Sequence, residues 1–218
     1  MARRTREEAL QTRERILEAA IEVFHERGVA RPSLTDIARL AGVTRGAVYG
    51  HFQNKVDLFS ALCERVQLPT EAICEADAAA CGGGDPLGML RNTWVEFFRK
   101  AATDDAHRRV LDIIFHRCEL VADNGLLQER LHSGHKDSLA RMGKMIAAAV
   151  AKRQLPADLD IERAVLLLHG ALIGVLNEWL FRSDAYDLAA EAERFVDALL
   201  EMLKVAPGLR RAAEDARA

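Results

Sequence analysis

The first part of the chain carries apolar residues at helical spacing. Over residues 12–27 they fall three or four positions apart, and the series ends at Gly28, a residue type that favours the position just after a helix. Ser33, with Asp36 three residues later, has the pattern of a capping box and opens a two-turn helix that Gly42 stops. The pattern therefore predicts one longer helix followed by a short one.

Two further helices are predicted immediately after these. Thr44 is a suitable cap for a third, short helix from about Arg45 to His51, and Asn54 with Asp57 starts a fourth. Only an Ala-Gly-Val turn separates the second helix from the third. Two short helices joined by a tight turn form the helix-turn-helix pattern.

The third helix carries the residue types that a helix in the DNA major groove needs. Gly46 and Ala47 are small where backbone must approach the duplex, and polar or basic side chains suit phosphates and base edges. Val48 and Phe52, four residues apart, should face inwards. The pattern also fits a small solvated helix pair with no nucleic-acid partner. The predicted DNA-binding residues are Ser33, Thr35, Thr44, Arg45, Gly46, Ala47, Tyr49, His51 and Lys55.

Helical patterns continue through the rest of the chain. Glycines and Asp-Pro at residues 82–88 mark the clearest break, and Pro69 should bend the helix that precedes it. The predicted helices cover about 55–79, 86–102, 105–121, 125–152, 159–181 and 188–204.

Two C-terminal helices carry more apolar surface than one subunit can readily cover. Residues 164–176 are apolar on almost every side, and such a helix needs two burial partners. The last helix has a 4-3-4-3 seam for another helix, formed by Leu188, Ala192, Phe195, Leu199 and Met202. A homodimer is therefore predicted, with packing inside one subunit as the alternative. The predicted interface residues are Leu172, Val175, Trp179, Phe195 and Leu199.

Composition supports an all-α protein. The 218 residues are 50% hydrophobic with five prolines, and strong helix formers are frequent. The net charge is −3, but residues 1–66 hold 11 Lys and Arg against 9 Asp and Glu, which makes this part the better candidate for a polyanionic partner. The apolar run 164–176 is shorter than the roughly 20 residues of a membrane span, and the first residues lack the apolar core of a signal peptide. We therefore expect a cytoplasmic protein with no membrane partner.

Patterns that would indicate an enzyme are weak. Four cysteines have spacings that match no metal or disulfide pattern, so reduced thiols are expected. His132 and His135 form an HxxH pair, which leaves a helical metal-dependent hydrolase as an alternative. The sequence contains no recognisable catalytic triad or phosphate-binding loop, so we expect no catalytic activity, no cofactor and no metal.

Residues 12–62 resemble the N-terminal DNA-binding domain of the TetR family of repressors. The segments FHRCELVADN (115–124), LPADLD (155–160) and NEWLFRSDAYDL (177–188) resemble the AcrR-like subgroup, which controls multidrug efflux pumps. One departure is Gly50, where the subgroup usually has an aromatic residue that packs near the DNA backbone.

The resemblance implies a helix-turn-helix DNA-binding domain at 1–54 and, from the linking helix at about 55, a larger helical ligand-binding and dimerisation domain at 55–218. It implies a homodimeric repressor that binds a near-palindromic operator and is released by a small apolar or cationic ligand. A TetR-type repressor that responds to a lipid or another metabolite is the alternative.

The resemblance also implies a ligand cavity in the larger domain, although the aromatic residues there would serve equally as plain core. Acidic side chains at Asp112, Glu119 and Glu178 could face an organic cation. Leu111 and Ile173 stand where some relatives have polar residues, so this cavity should be more apolar than theirs. The implied lining residues are Gln67, Trp94, Phe98, Leu111, Phe115, His116, Glu119, His169, Ile173, Asn177 and Glu178.

Overall fold

The computed structural model describes residues 2–66, 84–118 and 125–211, and throughout these ranges the regular elements are helices. The predicted all-α class is confirmed. A π-helical turn, Ile113–Arg117, and a 3₁₀ turn, Pro207–Leu209, complete the set. The α-helices are α1 (Ala2–Arg27), α2 (Leu34–Leu40), α3 (Arg45–His51), α4 (Lys55–Val66), α5 (Pro86–Thr103), α6 (Asp105–Asp112), α7 (Gly125–Ala151), α8 (Ile161–Phe181) and α9 (Leu188–Val205).

The observed helix boundaries differ from the predicted ones by two or more residues at three places in the described ranges. Helix α1 begins ten residues before the predicted start at 12, because residues 2–11 are mostly polar and carry no apolar stripe. The helix predicted at 105–121 ends at Asp112 and continues as the π-helical turn. Helix α8 starts two residues later than predicted, because the Asp160 side chain accepts from the Arg163 amide and so caps it. The predicted bend at Pro69 lies outside the described residues.

The described residues form two compact units. The first comprises those of Met1–Val66 and Asp104–His132, and the second those of Gln67–Thr103 and Ser133–Ala218. Packing therefore places α6 and the π-helical turn with the N-terminal helices. The functional boundary at 54/55 stays a prediction.

Helix α1 is the centre of the first unit. Its fully buried residues Ile16, Leu17, Ala20 and Phe24 form the stripe that the sequence predicts, and α1 packs against α2, α3, α4 and α6. The backbone amide of Val29 donates to the Arg117 carbonyl at 3.1 Å, which ties the turn after α1 to the end of the π-helical turn.

Packing between α5 and α9 dominates the second unit. Helix α9 buries Leu188, Ala192, Val196, Leu200 and Leu203. This buried face has 4-4-4-3 spacing, which follows one side of a straight helix. Of the predicted seam, Leu188 and Ala192 lie on it, whereas Phe195, Leu199 and Met202 are half-buried beside it, so their contact with a second subunit stays a prediction.

Ion pairs at the surface tie α5 to α9. The Arg91 guanidinium donates to Asp197 at 2.8 Å and to Glu193 at 3.0 Å, and Arg99 also donates to Glu193. These hydrogen bonds hold the pKa of both carboxyl groups below their ordinary values. Exposure limits the contribution of such pairs to stability, so they chiefly fix how the two helices align.

Candidate functional site

The predicted DNA-binding region begins with a complete capping box on α2. Ser33 Oγ accepts from the Asp36 amide at 3.2 Å, while the Asp36 carboxylate accepts from the Ser33 amide at 3.0 Å and from its hydroxyl at 2.6 Å. Hydrogen bonds from Ser33 lower the pKa of Asp36, so the cap stays charged near neutral pH. Thr35, one residue into the helix, is exposed.

The turn between α2 and α3 is fixed by its own backbone and by α1. Gly42 has a φ of 63°, a left-handed conformation that favours glycine, and the Val43 amide donates to the Ala38 carbonyl at 3.0 Å. The Arg15 guanidinium of α1 donates to the carbonyls of Ala41 at 2.6 Å and Gly42 at 3.3 Å. Arg15 of α1 therefore donates hydrogen bonds to carbonyls at the end of α2 that have no partner within that helix.

Helix α3 has a buried side and an exposed side, as predicted. Val48 is fully buried and Phe52 is 2% exposed, with the Arg13 guanidinium 5.5 Å from the Phe52 ring centroid. At the start of the helix, Thr44 Oγ1 accepts from the Ala47 amide at 3.1 Å. This cap and these two buried residues fix the rotation of α3 about its axis.

The exposed side of α3 carries most of the predicted contacts. Arg45, Gly46 and Gly50 are exposed, as is Tyr49 at 46%, while Ala47 and His51 are half-buried. The Arg45 guanidinium carbon lies 5.2 Å from the Tyr49 ring centroid, and its terminal nitrogen lies 3.5 Å from the hydroxyl. No described atom lies within 4 Å of a Cβ built on Gly50, so the absence of a side chain there is not forced by close packing.

Lys55 is less available than the sequence suggests. Its ammonium donates to the carbonyl of Ala30 and, at 3.1 Å, to that of Pro32, which uses two of its three N–H bonds. Partial burial lowers its pKa. Lys55 thus holds the segment before α2 in place, and its phosphate contact stays a prediction.

The predicted ligand-lining residues are distributed over both units. Trp94 and Phe98 are buried on α5, and His169, Ile173, Asn177 and Glu178 lie on α8, all in the second unit. Leu111 is buried on α6, and Phe115 and His116 lie on the π-helical turn, all in the first unit. Gln67 and Glu119 lie outside the described residues.

Asp112 does not stand free to face a cationic ligand, so that expectation was wrong. Its carboxylate lies 2.8 Å from His116 Nδ1 and 3.3 Å from His25 Nε2, and it accepts from Arg117 Nε at 3.2 Å. Sequence could not show the contact with His25, because that residue lies on α1, far away along the chain. The Asp112 cluster, defined by these four residues, joins α1 to the π-helical turn.

Two predicted interface residues are buried inside the second unit instead. Leu172 is 1% exposed and Trp179 is 4% exposed, and the Trp179 indole N–H donates to the Tyr186 carbonyl at 3.2 Å. Val175, Phe195 and Leu199 are half-buried. Our choice of Leu172 and Trp179 was therefore wrong, because an apolar stretch does not reveal which side of a helix its own subunit covers.

The exposed apolar stripe of α8 consists of Leu166, Leu167 and Phe181, which are 62%, 50% and 77% exposed. Over its whole length, Ile161–Phe181, α8 is long and apolar enough to cross a membrane by length and composition alone. This helix is longer than the apolar run 164–176, which alone is too short to span a bilayer.

The histidines of the hydrolase alternative do not form a metal centre in the part of the chain that the structure describes. Within that part, no group of three or more His, Cys, Asp or Glu residues is suited to hold a metal ion. The His135 ring packs edge-on against His169, with 5.1 Å between centroids. Burial, and then the nearby His135, lower the pKa of His169, which keeps this imidazole neutral at physiological pH.

Comparison with known protein families finds two models that together match most of the chain. Residues 16–62 match the family model of bacterial regulatory proteins, tetR family, and residues 85–205 match that of the MAATS-type transcriptional repressor, C-terminal region. The HTH-type transcriptional regulator TtgR of Pseudomonas putida is 39% identical over 97% of this chain and 100% of its own length.

Solved structures of two repressors are also similar to this chain over most of its length. NalD, the secondary repressor of the MexAB-OprM multidrug efflux pump in Pseudomonas aeruginosa, has a TM-score of 0.79 at 34% identity, covering 92% of this chain and 99% of its own. The SmeT-triclosan complex has a TM-score of 0.78 at 33% identity, covering 90% of this chain and 93% of its own.

A pair of glycine substitutions tests how the turn is held. Gly42→Ala should lower the free energy of unfolding by about 1–2 kcal/mol, because alanine is strained at positive φ. Its Cβ would also lie 3.0 Å from the Arg15 side chain. Gly50→Ala is the matched control: this helical site is open, so stability should rise by about 0.5–1 kcal/mol. Urea unfolding of both variants measures the difference, and equal effects would show that the turn conformation is not required.

Proposed function

Because this chain belongs to the TetR family of bacterial transcriptional regulators, we propose that it is a homodimeric repressor of a multidrug efflux operon that a small ligand releases from its operator. The family consists of regulators, and the chain is not an enzyme. We assign DNA binding to residues 1–54 and ligand binding with dimerisation to 55–218. An operator partner implies a cytoplasmic location.

The exposed side of α3 is the observation that carries the DNA-binding role. A capped helix whose buried side is fixed by Val48 and Phe52 presents Arg45 and Tyr49 outward. The Arg45 guanidinium lies over the Tyr49 ring, and this cation–π contact preorganises the two side chains next to each other on the exposed side of α3. Arginine in the major groove reads guanine edges with two donors, so Arg45 supplies specificity, while Thr35 and Thr44 are placed for phosphates.

The efflux target is supported by relatives that cover nearly the whole chain. NalD is named as a repressor of a multidrug efflux pump, and SmeT was solved with triclosan. Triclosan is therefore the first compound to test for operator release. The alternative is that the effector is a lipid or another metabolite. A pump gene that is transcribed divergently from a position beside this gene would favour the efflux target.

The Asp112 cluster suggests how ligand binding could change the position of the DNA-binding helices. Leu111 and Phe115, two predicted ligand contacts, lie before and after Asp112 along the chain, and Asp112 contacts His25 on α1. π-helical turns are often found at functional sites. A ligand that binds one arrangement of this turn more tightly would shift α1, whereas equal affinity for both arrangements would release nothing.

The exposed stripe of α8 supports a second copy of this chain as the partner. Leu166, Leu167 and Phe181 are exposed on a helix that is apolar on most sides. At Gly170 and Gly174 no described atom lies within 4 Å of a built Cβ, so another helix can approach closely at these positions. A two-fold pairing of α8 would present two copies of α3 to a near-palindromic operator.

Arg45→Ala tests the DNA contact. Loss of a guanine-reading side chain should weaken operator binding about 5- to 150-fold, equivalent to roughly 1–3 kcal/mol. Fluorescence anisotropy with labelled DNA from upstream of the gene, at constant salt, measures this change. Arg194→Ala is the control, because it removes an exposed arginine from α9. Equal affinity of the two variants would refute the role of Arg45.

Leu167→Asp tests the dimer. A charge buried without a partner costs several kcal/mol, so the variant should sediment as a monomer at micromolar concentration, where the native protein is a dimer. Ala147→Asp adds the same charge at an exposed position of α7 and should leave the dimer intact. A monomeric native protein, or a Leu167→Asp variant as dimeric as the control, would contradict the assignment.

A further inference from the structure

Two histidines from different helices meet in the second unit. His135 lies on α7 and His169 on α8, and their ring centroids are 5.1 Å apart, with an angle of 74° between the ring planes. The two residues are far apart along the chain, so sequence spacing gives no sign of the pair. The fold therefore brings together two imidazoles, and imidazole is the side-chain group that binds metal ions most often.

The ring nitrogens of this pair are not used in hydrogen bonds within the described part of the chain. Neither His135 nor His169 makes a hydrogen bond or an ion pair there. By contrast, the rings of His25 and His116 both lie beside the Asp112 carboxylate. A neutral imidazole has one N–H group and one nitrogen lone pair. Each ring of the pair therefore has a lone pair that a metal ion could use.

The distance between the two rings suits one ion that both of them bind. A zinc ion lies roughly 2.0–2.1 Å from each imidazole nitrogen, and a tetrahedral angle then places the ring centres about 5 Å apart. His135 is exposed and His169 is half-buried, so an ion can reach them from solvent. No described atom lies within 4 Å of a Cβ built on Gly134, so the surface of α7 beside His135 has room for water molecules on the ion.

The charge state of His169 also favours a metal ion. Burial, and then the nearby His135, lower the pKa of His169, so its lone pair carries no proton at physiological pH. A histidine must be neutral to bind a metal ion. Protons therefore compete only weakly with an ion at this ring.

We propose that His135 and His169 together bind one divalent transition-metal ion, Ni²⁺ or Zn²⁺, with water in its remaining coordination positions. This site goes beyond the proposed function and does not rest on it. It is not the centre of a hydrolase, which takes three protein ligands, and no such group occurs among the described residues. Because its ligands come from α7 and α8, a bound ion cross-links these two helices. Mg²⁺ and Ca²⁺ prefer oxygen ligands and should not bind.

Calorimetric titration of the full chain with Ni²⁺ tests the site. His135→Gln and His169→Gln should each weaken this binding about tenfold or more, because a single imidazole remains, and the double variant should bind one ion fewer per chain than the native protein. His132→Gln is the matched control, because it removes an exposed histidine from the same helix, and its Kd should stay within twofold of the native value. A double variant that binds as many Ni²⁺ ions as the native protein would overturn the proposal, as would an equal loss in His132→Gln.

Thermal unfolding provides a second readout and checks that the variants fold. An ion that binds only the folded pair should raise the Tm of the native protein and of His132→Gln by about 5–10 °C when Ni²⁺ is present at 100 times its Kd. The Tm of His135→Gln should not rise, although without metal it should match the native value, because His135 is exposed. An equal rise of Tm in the native protein and in His135→Gln would show that the ion does not bind to this pair.

Discussion

The contact of Arg15 with the turn between α2 and α3 is the interaction on which the DNA-binding side depends. A left-handed glycine lets the chain reverse within a few residues, and the guanidinium of α1 binds the carbonyls exposed there. The direction in which α3 leaves the turn is thereby set relative to α1. This geometry, together with the buried Val48 and Phe52, turns Arg45 and Tyr49 outward, as the recognition role that we propose for them requires.

The same long helix contacts the π-helical turn, where two of the predicted ligand contacts lie. The Val29 amide bonds to Arg117, and His25 lies beside Asp112, so the end of α1 is held at two points by the π-helical turn and the residue before it. One end of α1 thus borders predicted ligand contacts, while its middle fixes the DNA-binding turn. A shift of the π-helical turn would reach α3 through one helix, α1, and packed helices are one route by which two distant sites can be coupled.

Local rules made much of this region predictable. Capping by Ser33 and Thr44, the end of the second helix before Gly42 and the inward Val48 depend on neighbours within a few residues, and the structure has them as predicted. The sequence did not reveal contacts between residues far apart along the chain. Lys55 binds carbonyls 23 and 25 residues away, and Asp112 meets His25 on another helix. Side chains of this kind have several possible partners, and only tertiary packing selects among them.

If ligand and operator favour different arrangements of this protein, each must weaken the binding of the other by the same factor. For a compound that releases the operator, its Kd is measured on free protein and on operator-bound protein, and the operator Kd is measured with and without saturating compound. Linkage requires the two ratios to be equal, at about 5- to 150-fold. If a compound that releases the operator binds free and operator-bound protein with the same Kd, the two sites are not coupled through the protein.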